Sequence, residues 1–418
     1  MTRVRTDGRA DYRAVLRNRE FAAVLLSQSL SVIGDQVARI ALALLVYQRT
    51  GSALASSATY AVSYGAYLLG GPVLSTLSDR YPRRTVMVIS DVLRCGLVAV
   101  LALQPSTPVL FVLVALAGTV APAFASARSA TLPDLLGDGD YGTGLGLISS
   151  AAQTSQFIGF ALGGGLVAAL GVSSALLVDA GSFALSALCL LVALRLRASV
   201  GGPRTGLLSE SLLGASTVWR TPGLRHWLAW GLLLSTGAAA PEGLAVAVGS
   251  SLGGGAVAAG LLTAAAPLGY VLGTFVVLRV PSGDRRRVLP VAAGVAFVPL
   301  ALTPLAPSLA LLLVLWVVAG AGGAAQIVAN SEYALRCLPE VRGRAFGLAG
   351  TALMVWQAVV LVAVGAAAGP WSARTVVGTV GVLGLAATIV LARRHPGWMI
   401  SRTGAGVPRS GLTEGSTT

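Results

Sequence analysis

The chain has 418 residues, of which 55% are hydrophobic and only 11% charged; a soluble domain carries about 25% charged residues, so an ordinary water-soluble protein is excluded. A mean hydropathy of +0.78 points the same way. The formal net charge of +14 would suggest nucleic acid in a soluble chain, but the arginines stand between apolar runs, where they read as membrane topology. The expected partner is therefore the lipid bilayer, with no nucleic acid.

A spanning helix needs ~20 mostly apolar residues, and the chain divides accordingly. Residues 1–20 hold six arginines and no apolar core, so no cleavable signal is expected and the first apolar run takes that role. Helices are predicted near 21–48, 52–78, 85–103, 107–128, 141–168 and 172–195, a first bundle of six over residues 21–195. The polar stretch 196–222 reads as a cytoplasmic linker. A second six follow near 223–250, 254–279, 287–304, 308–330, 342–368 and 372–393, and residues 394–418 read as a flexible cytoplasmic tail. The fold class expected is an all-α integral membrane protein of twelve transmembrane helices in two pseudosymmetric bundles.

All 30 basic residues are arginine, and 26 of them fall in the N-terminal segment, the even-numbered gaps and the tail. The opposite gaps hold only Arg49 and Arg374. Positive residues stay in the cytoplasm, so both termini and the linker are expected there. Cys95, Cys189 and Cys337 are too far apart for a disulfide framework or a metal spacing, and His226 and His395 lie at helix ends without a ligand cluster. No metal or cofactor is expected, and nothing in the sequence calls for more than a monomer.

The two halves repeat one another. Asp79 and Asp284, each followed by arginines, lie 205 residues apart, and the Leu-Pro-acid endings at Pro133 and Pro339 lie 206 apart. Two anchors at one offset indicate a duplicated six-helix unit, and such repeats place a substrate site near the midplane between them.

The loop Ser75-Thr76-Leu77-Ser78-Asp79-Arg80-Tyr81-Pro82-Arg83-Arg84 resembles the loop signature of the major facilitator superfamily, with Ser75 and Pro82 in place of two glycines. The segment from Gln28 to Arg39, with Ala127-Arg128-Ser129-Ala130-Thr131-Leu132-Pro133-Asp134, is similar to the branch that includes siderophore exporters and macrolide efflux proteins. Gly146, Ser155, Gly159, Gly163 and Gly164 resemble the helix-5 motif of drug/proton antiporters, although Phe160 stands where that motif has proline. The resemblance covers residues 17–395. It implies the major facilitator fold and secondary transport by rocking of one half against the other, with export the expected direction.

Ionisable residues within apolar runs are functional candidates, because burying them is costly. Asp35 and Arg39 share one face of the first run at i and i+4, and Glu242, which follows Pro241 in the seventh, lies 207 residues beyond Asp35. A carboxyl at that depth is poised to take up and release protons, so Asp35, Glu242 and Arg39 are the expected proton-coupling set. Two readings compete with it: a fixed Asp35–Arg39 ion pair, leaving Glu242 as the carrier, or a Glu242 solvated near the outer surface.

Asp79, Arg80, Arg83 and Arg84, with Asp91, Arg94 and Arg128, are expected to form a cytoplasmic gate of charge-assisted bonds; local i, i+3 pairing of Asp91 with Arg94 is the alternative. Gln36, Gln153, Gln156, Gln326, Asn330 and Gln357 are candidates to line a substrate cavity. Tyr60, Tyr64 and Tyr67 form a helical stripe read as packing, and Asp179 has no partner to name.

A phosphate-binding Gly-x-x-x-x-Gly-Lys-Ser/Thr loop is impossible in a chain without lysine, and no nucleophile elbow is present, so the chain is not expected to be an enzyme. The function expected is proton-driven export of an amphipathic small molecule. An importer or uncoupled uniporter, and a sensor or scaffold without flux, are the alternatives.

Overall fold

In a bilayer core every backbone N–H and C=O must be paired within the protein, which forces apolar runs of this length into helices. The computed structural model describes residues 12–74, 77–137, 140–197, 222–281, 284–337 and 342–393. Its helices are α1 (Arg19–Thr50), α2 (Ala53–Leu74), α3 (Arg83–Leu101), α4 (Thr107–Leu135), α5 (Tyr141–Ala193) and α6 (Pro222–Ser251), then α7 (Gly255–Arg279), α8 (Arg285–Ala301), α9 (Leu309–Gly323), α10 (Gln326–Arg336), α11 (Arg342–Ala367) and α12 (Ala373–Arg393). Short helices at Tyr12–Arg17 and Leu77–Arg80 precede α1 and α3.

Nine helical segments among the described residues are long and apolar enough to cross a membrane. The 53-residue α5 supplies two spans, because Gly171 adopts φ 79 and ψ 171 and breaks it. Only glycine reaches that backbone region without strain. The helices α2 and α3 complete twelve spans, with α9 and α10 sharing one. The charges on α3 keep its hydropathy low, and the structure shows why they are tolerated: Arg94 and Asp91 point inward to partners.

Several boundaries differ from the sequence expectation. The second helix is described as far as Leu74, and residues 75–76, before its expected end at 78, lie outside the described residues. The fourth runs to Leu135 instead of 128, across Pro133, because Arg83 of α3 binds the Ala130 carbonyl at 2.5 Å and Asp134 at 2.5 Å. The tenth span continues past 330 as α10. Asn18 caps α1 by accepting from the Glu20 and Phe21 amides, and its own amide donates to Leu135 O at 2.8 Å, tying α1 to the end of α4. The linker residues 198–221, residues 1–11 and the tail 394–418 lie outside the described residues.

The packing repeats between halves. In the first, α2 packs on α4; in the second, α7 packs on α9. The first limb of α5 packs across on α7, and α11 packs across on α2, so the fifth span of each half lies on the second span of the other. Small residues make these crossings close: a Cβ on Gly164 would lie 2.6 Å from Ala256 O and 2.8 Å from Gly260 Cα. A Cβ on Gly243 would lie 3.4 Å from Ser57 Cβ, and one on Gly365 would lie 2.9 Å from Leu54 Cα. All of these contacts sit toward the arginine-poor end, where the halves are shut against each other.

At the arginine-rich end the bonds among the described residues stay within a half. Arg84 donates to Leu191 O at 2.6 Å, Arg197 to Glu20 at 2.6 Å and Arg336 to Glu332 at 2.5 Å. Leu103, Val192, Leu69 and Val291 are exposed on the outside of the bundle, where acyl chains solvate them.

Candidate functional site

Beneath the shut end lies a cavity of about 240 Å³. Its walls come from α1, α2, α3, α4 and the second limb of α5, with Met354 of α11 contributed by the other half. Asp35, Arg39, Arg94 and Asp179 supply its charge, Tyr64 and Tyr67 its aromatic surface, and Leu42, Val98 and Val114 its apolar surface.

The charged groups pair across helices. Arg94 of α3 donates to Asp35 of α1 at 2.5 Å, and its guanidinium lies 4.2 Å from the Phe183 ring centre. Arg39, one turn after Asp35, donates to Tyr64 at 3.2 Å and faces Glu242 of α6 at 3.7 Å. The sequence reading of a fixed Asp35–Arg39 pair is therefore not what the structure contains: each takes a partner from another helix. Glu242 is 15% exposed, so it is not solvated at a surface.

The residues expected at a gate separate into two groups. Arg83 and Arg84 hold the start of α3 to the ends of α4 and α5, while Arg80 is exposed and the side chain of Asp79 lies outside the described residues. Asp91 and Arg94 are deeper than expected. Local i, i+3 pairing does not occur, since Asp91 accepts from Ser186 at 2.5 Å, and Ser186 in turn meets Ser27 at 2.6 Å. Arg128 lies within electrostatic reach of Tyr67, with its Nε unmatched.

The amide side chains fall elsewhere. Gln36 is buried against Gly159 of α5, and Gln326 donates to Asn330 at 3.1 Å within α10. Gln153, Gln156 and Gln357 are half-buried on α5 and α11. None of the six lines the cavity. Of the glycine motif on α5, Gly159 and Gly163 back onto Ile33 and Val37 of α1, Gly164 meets α7, Ser155 is buried, and Gly146 touches nothing within 4 Å.

Two elements of the wall went unrecognised in the sequence. Tyr64 and Tyr67, read as packing, face the cavity, and Asp179, left without a partner, is buried in its wall. The signal for Asp179 was its acidity alone inside an apolar run; no spacing linked it to the first helix.

Two pseudosymmetric helical bundles enclosing a charged cavity define a multi-pass membrane transporter. A sequence profile of the Major Facilitator Superfamily matches residues 24–241, more than half of the chain, and the protein belongs to that family. It is 30% identical to the uncharacterized MFS-type transporter YfiS of Bacillus subtilis over 178 residues, 42% of this chain and 43% of that protein. It is 28% identical to the multidrug efflux pump Tap of Mycobacterium tuberculosis over 358 residues, 78% of this chain and 81% of that protein. The structure resembles that of a peptide transporter, POT, in complex with sulfate, with a TM-score of 0.73, 14% identity and coverage of 91% of this chain and 95% of that one. At that identity the likeness shows the fold alone.

Proposed function

We propose that this transporter is a proton-coupled exporter of amphipathic small molecules. The observation that carries the reading is the Arg39–Glu242 pair at 3.7 Å, which joins the two halves at the cavity. A proton arriving on Glu242 neutralises it, releases Arg39 and loosens one half from the other. Asp35, held by Arg94 one turn before Arg39, is the second acid of this set. Tyr64, Tyr67, Leu42 and Met354 around these charges suit a ligand with both apolar and polar faces. Similarity to a multidrug efflux pump over most of both chains supports export.

The arginine distribution supports an inner or plasma membrane location with both termini in the cytoplasm. With that orientation the state described here is closed outward. Asp79, Arg80, Arg83 and Arg84 then form the cytoplasmic hinge of the first half, and Gly159, Gly163 and Gly164 the outward seal. Gln36, Gln153, Gln156, Gln326, Asn330 and Gln357 are polar positions for substrate in the opposite state. A monomer suffices, because each half completes the other.

The test is flux of a fluorescent amphipathic probe in proteoliposomes under an imposed pH gradient, comparing the wild type with Asp35→Asn and Glu242→Gln. Gradient-driven flux in the wild type, lost in at least one variant, is the expected result. Full gradient-driven flux in both variants removes these acids from coupling, flux indifferent to the gradient favours a uniporter, and no flux favours a scaffold.

A further inference from the structure

One carboxylate in the cavity wall has no part in the scheme above. Asp179, on the second limb of α5, is 1% exposed and lines the cavity with Asp35, Arg39 and Arg94. Its Oδ1 accepts from Ser182 at 3.3 Å, while its Oδ2 has no hydrogen-bond partner. No cation stands within ion-pair distance of it among the described residues.

Two close approaches place it against the Asp35–Arg94 pair. Gly34 precedes Asp35 on α1, and a Cβ added there would collide with Asp179 Oδ1 and Ser182 Oγ. Phe183, one turn beyond Asp179 on the same face, carries the Arg94 guanidinium on its ring. Arg94 thus stands between two carboxylates and is bonded to one. A single guanidinium compensates a single negative charge, and a second ionised carboxylate in so dry a place is strongly disfavoured.

We infer that Asp179 is a second proton-binding site of this cavity, and that it and Asp35 exchange the proton and Arg94 between them. In the state seen here Arg94 pairs with ionised Asp35 and the proton resides on Asp179. When Arg94 turns to Asp179, the Asp179 O–H bond breaks and an O–H bond forms on Asp35. One proton, one carboxylate and one guanidinium are present before and after, so the exchange leaves the buried charge unchanged. The other groups within electrostatic reach of Asp179 are Arg39 from α1 and Cys95 from α3, with Asp91 beyond Cys95 and with Tyr64 and Tyr67 from α2 on the same cavity wall. Asp91, bonded to Ser186, takes no part. The inference rests on the proton-coupled reading and names where the coupled proton waits.

The test needs neither substrate nor gradient. Infrared spectra of the purified protein in nanodiscs at neutral pH, with isotope-labelled aspartate carboxyls, are compared for the wild type, Asp179→Asn, Asp35→Asn and the double variant. The wild-type minus Asp179→Asn difference is expected to contain a protonated aspartate band. The Asp35→Asn minus double-variant difference is expected to contain an ionised one, because Arg94 is free to turn. An ionised Asp179 in the wild type, or a protonated Asp179 in the Asp35→Asn background, overturns the inference. If Asp179→Asn does not fold, Asp179→Glu gives the same readout by removing the protonated band from the labelled-aspartate position, and its persistence there is equally fatal. A protein with proton-driven flux and an ionised Asp179 sinks this inference alone, and a protonated Asp179 without proton-driven flux sinks the coupling reading alone.

Discussion

Arg39 and Glu242 face each other at 3.7 Å across the joint between the two halves. Arg39 is anchored on its own side by Tyr64, whose hydroxyl it binds and whose ring centre lies 5.1 Å away. Glu242 has no comparable anchor among the described residues, and its Oε1 makes no hydrogen bond there. The pair is held by charge at a distance longer than a bonded one, so it parts without breaking a hydrogen bond.

Glu242→Gln is therefore expected to weaken the closed arrangement directly. Truncating one partner of a desolvated charge pair costs about 2–5 kcal/mol, which shifts the balance between the two states by at least ~30-fold. Spin-label distances between α2 and α11 at the arginine-poor end should lengthen in the variant and stay short in the wild type at the same pH. Unchanged distances would show that the pair does not hold the halves.

Gly164→Leu acts on the same closure by bulk. A Cβ there already falls below 3.0 Å from the backbone of α7, so a larger side chain must push the helices apart. Flux should fall more than tenfold, about 1.4 kcal/mol in the balance of states, while the protein still elutes as a single species. The same substitution at Gly165, which faces open space, should leave flux near wild type and serves as the control.

The spans were legible in the sequence because a bilayer leaves an apolar run no alternative to a helix, and the duplication was legible from Asp79 and Asp284. The pairing of charges was not. Asp35 and Arg39 share a helix face, and spacing along one helix suggested that they bind each other. Their true partners, Arg94 and Glu242, are set by which helices pack together, and that information lies in glycine contacts such as Gly34 with Asp179, which no local pattern encodes. Gln36 shows the same limit: polarity marks a residue that avoids lipid, and in this state Gln36 does so by packing on α5.

Gly34→Val tests that contact. Its added carbons would occupy the space of Ser182 Oγ and Asp179 Oδ1, and overpacking of this kind costs about 1–3 kcal/mol. Thermal unfolding in detergent should begin several degrees lower, about 4 °C per kcal/mol at most for a chain of this size, and Ser182→Ala combined with it should recover part of the loss. If the double variant is no better than the single one, the two helices adjust elsewhere.

Arg83 joins the start of α3 to the last turns of α4 through Ala130 O and Asp134. Because Asp134 is 44% exposed, the ion pair itself is worth little, about 0–1 kcal/mol. The carbonyl bond matters more locally: Pro133 supplies no N–H to Ser129 O, so the α4 ladder is already interrupted one residue before the Ala130 carbonyl that Arg83 binds. Arg83→Gln should leave the global unfolding temperature almost unchanged while amide hydrogen exchange over residues 129–135 rises at least tenfold. Asp134→Asn should reproduce only a fraction of that rise. Equal protection of 129–135 in the wild type and Arg83→Gln would mean that α4 holds its extra turns without α3, and the extension past residue 128 would need another cause.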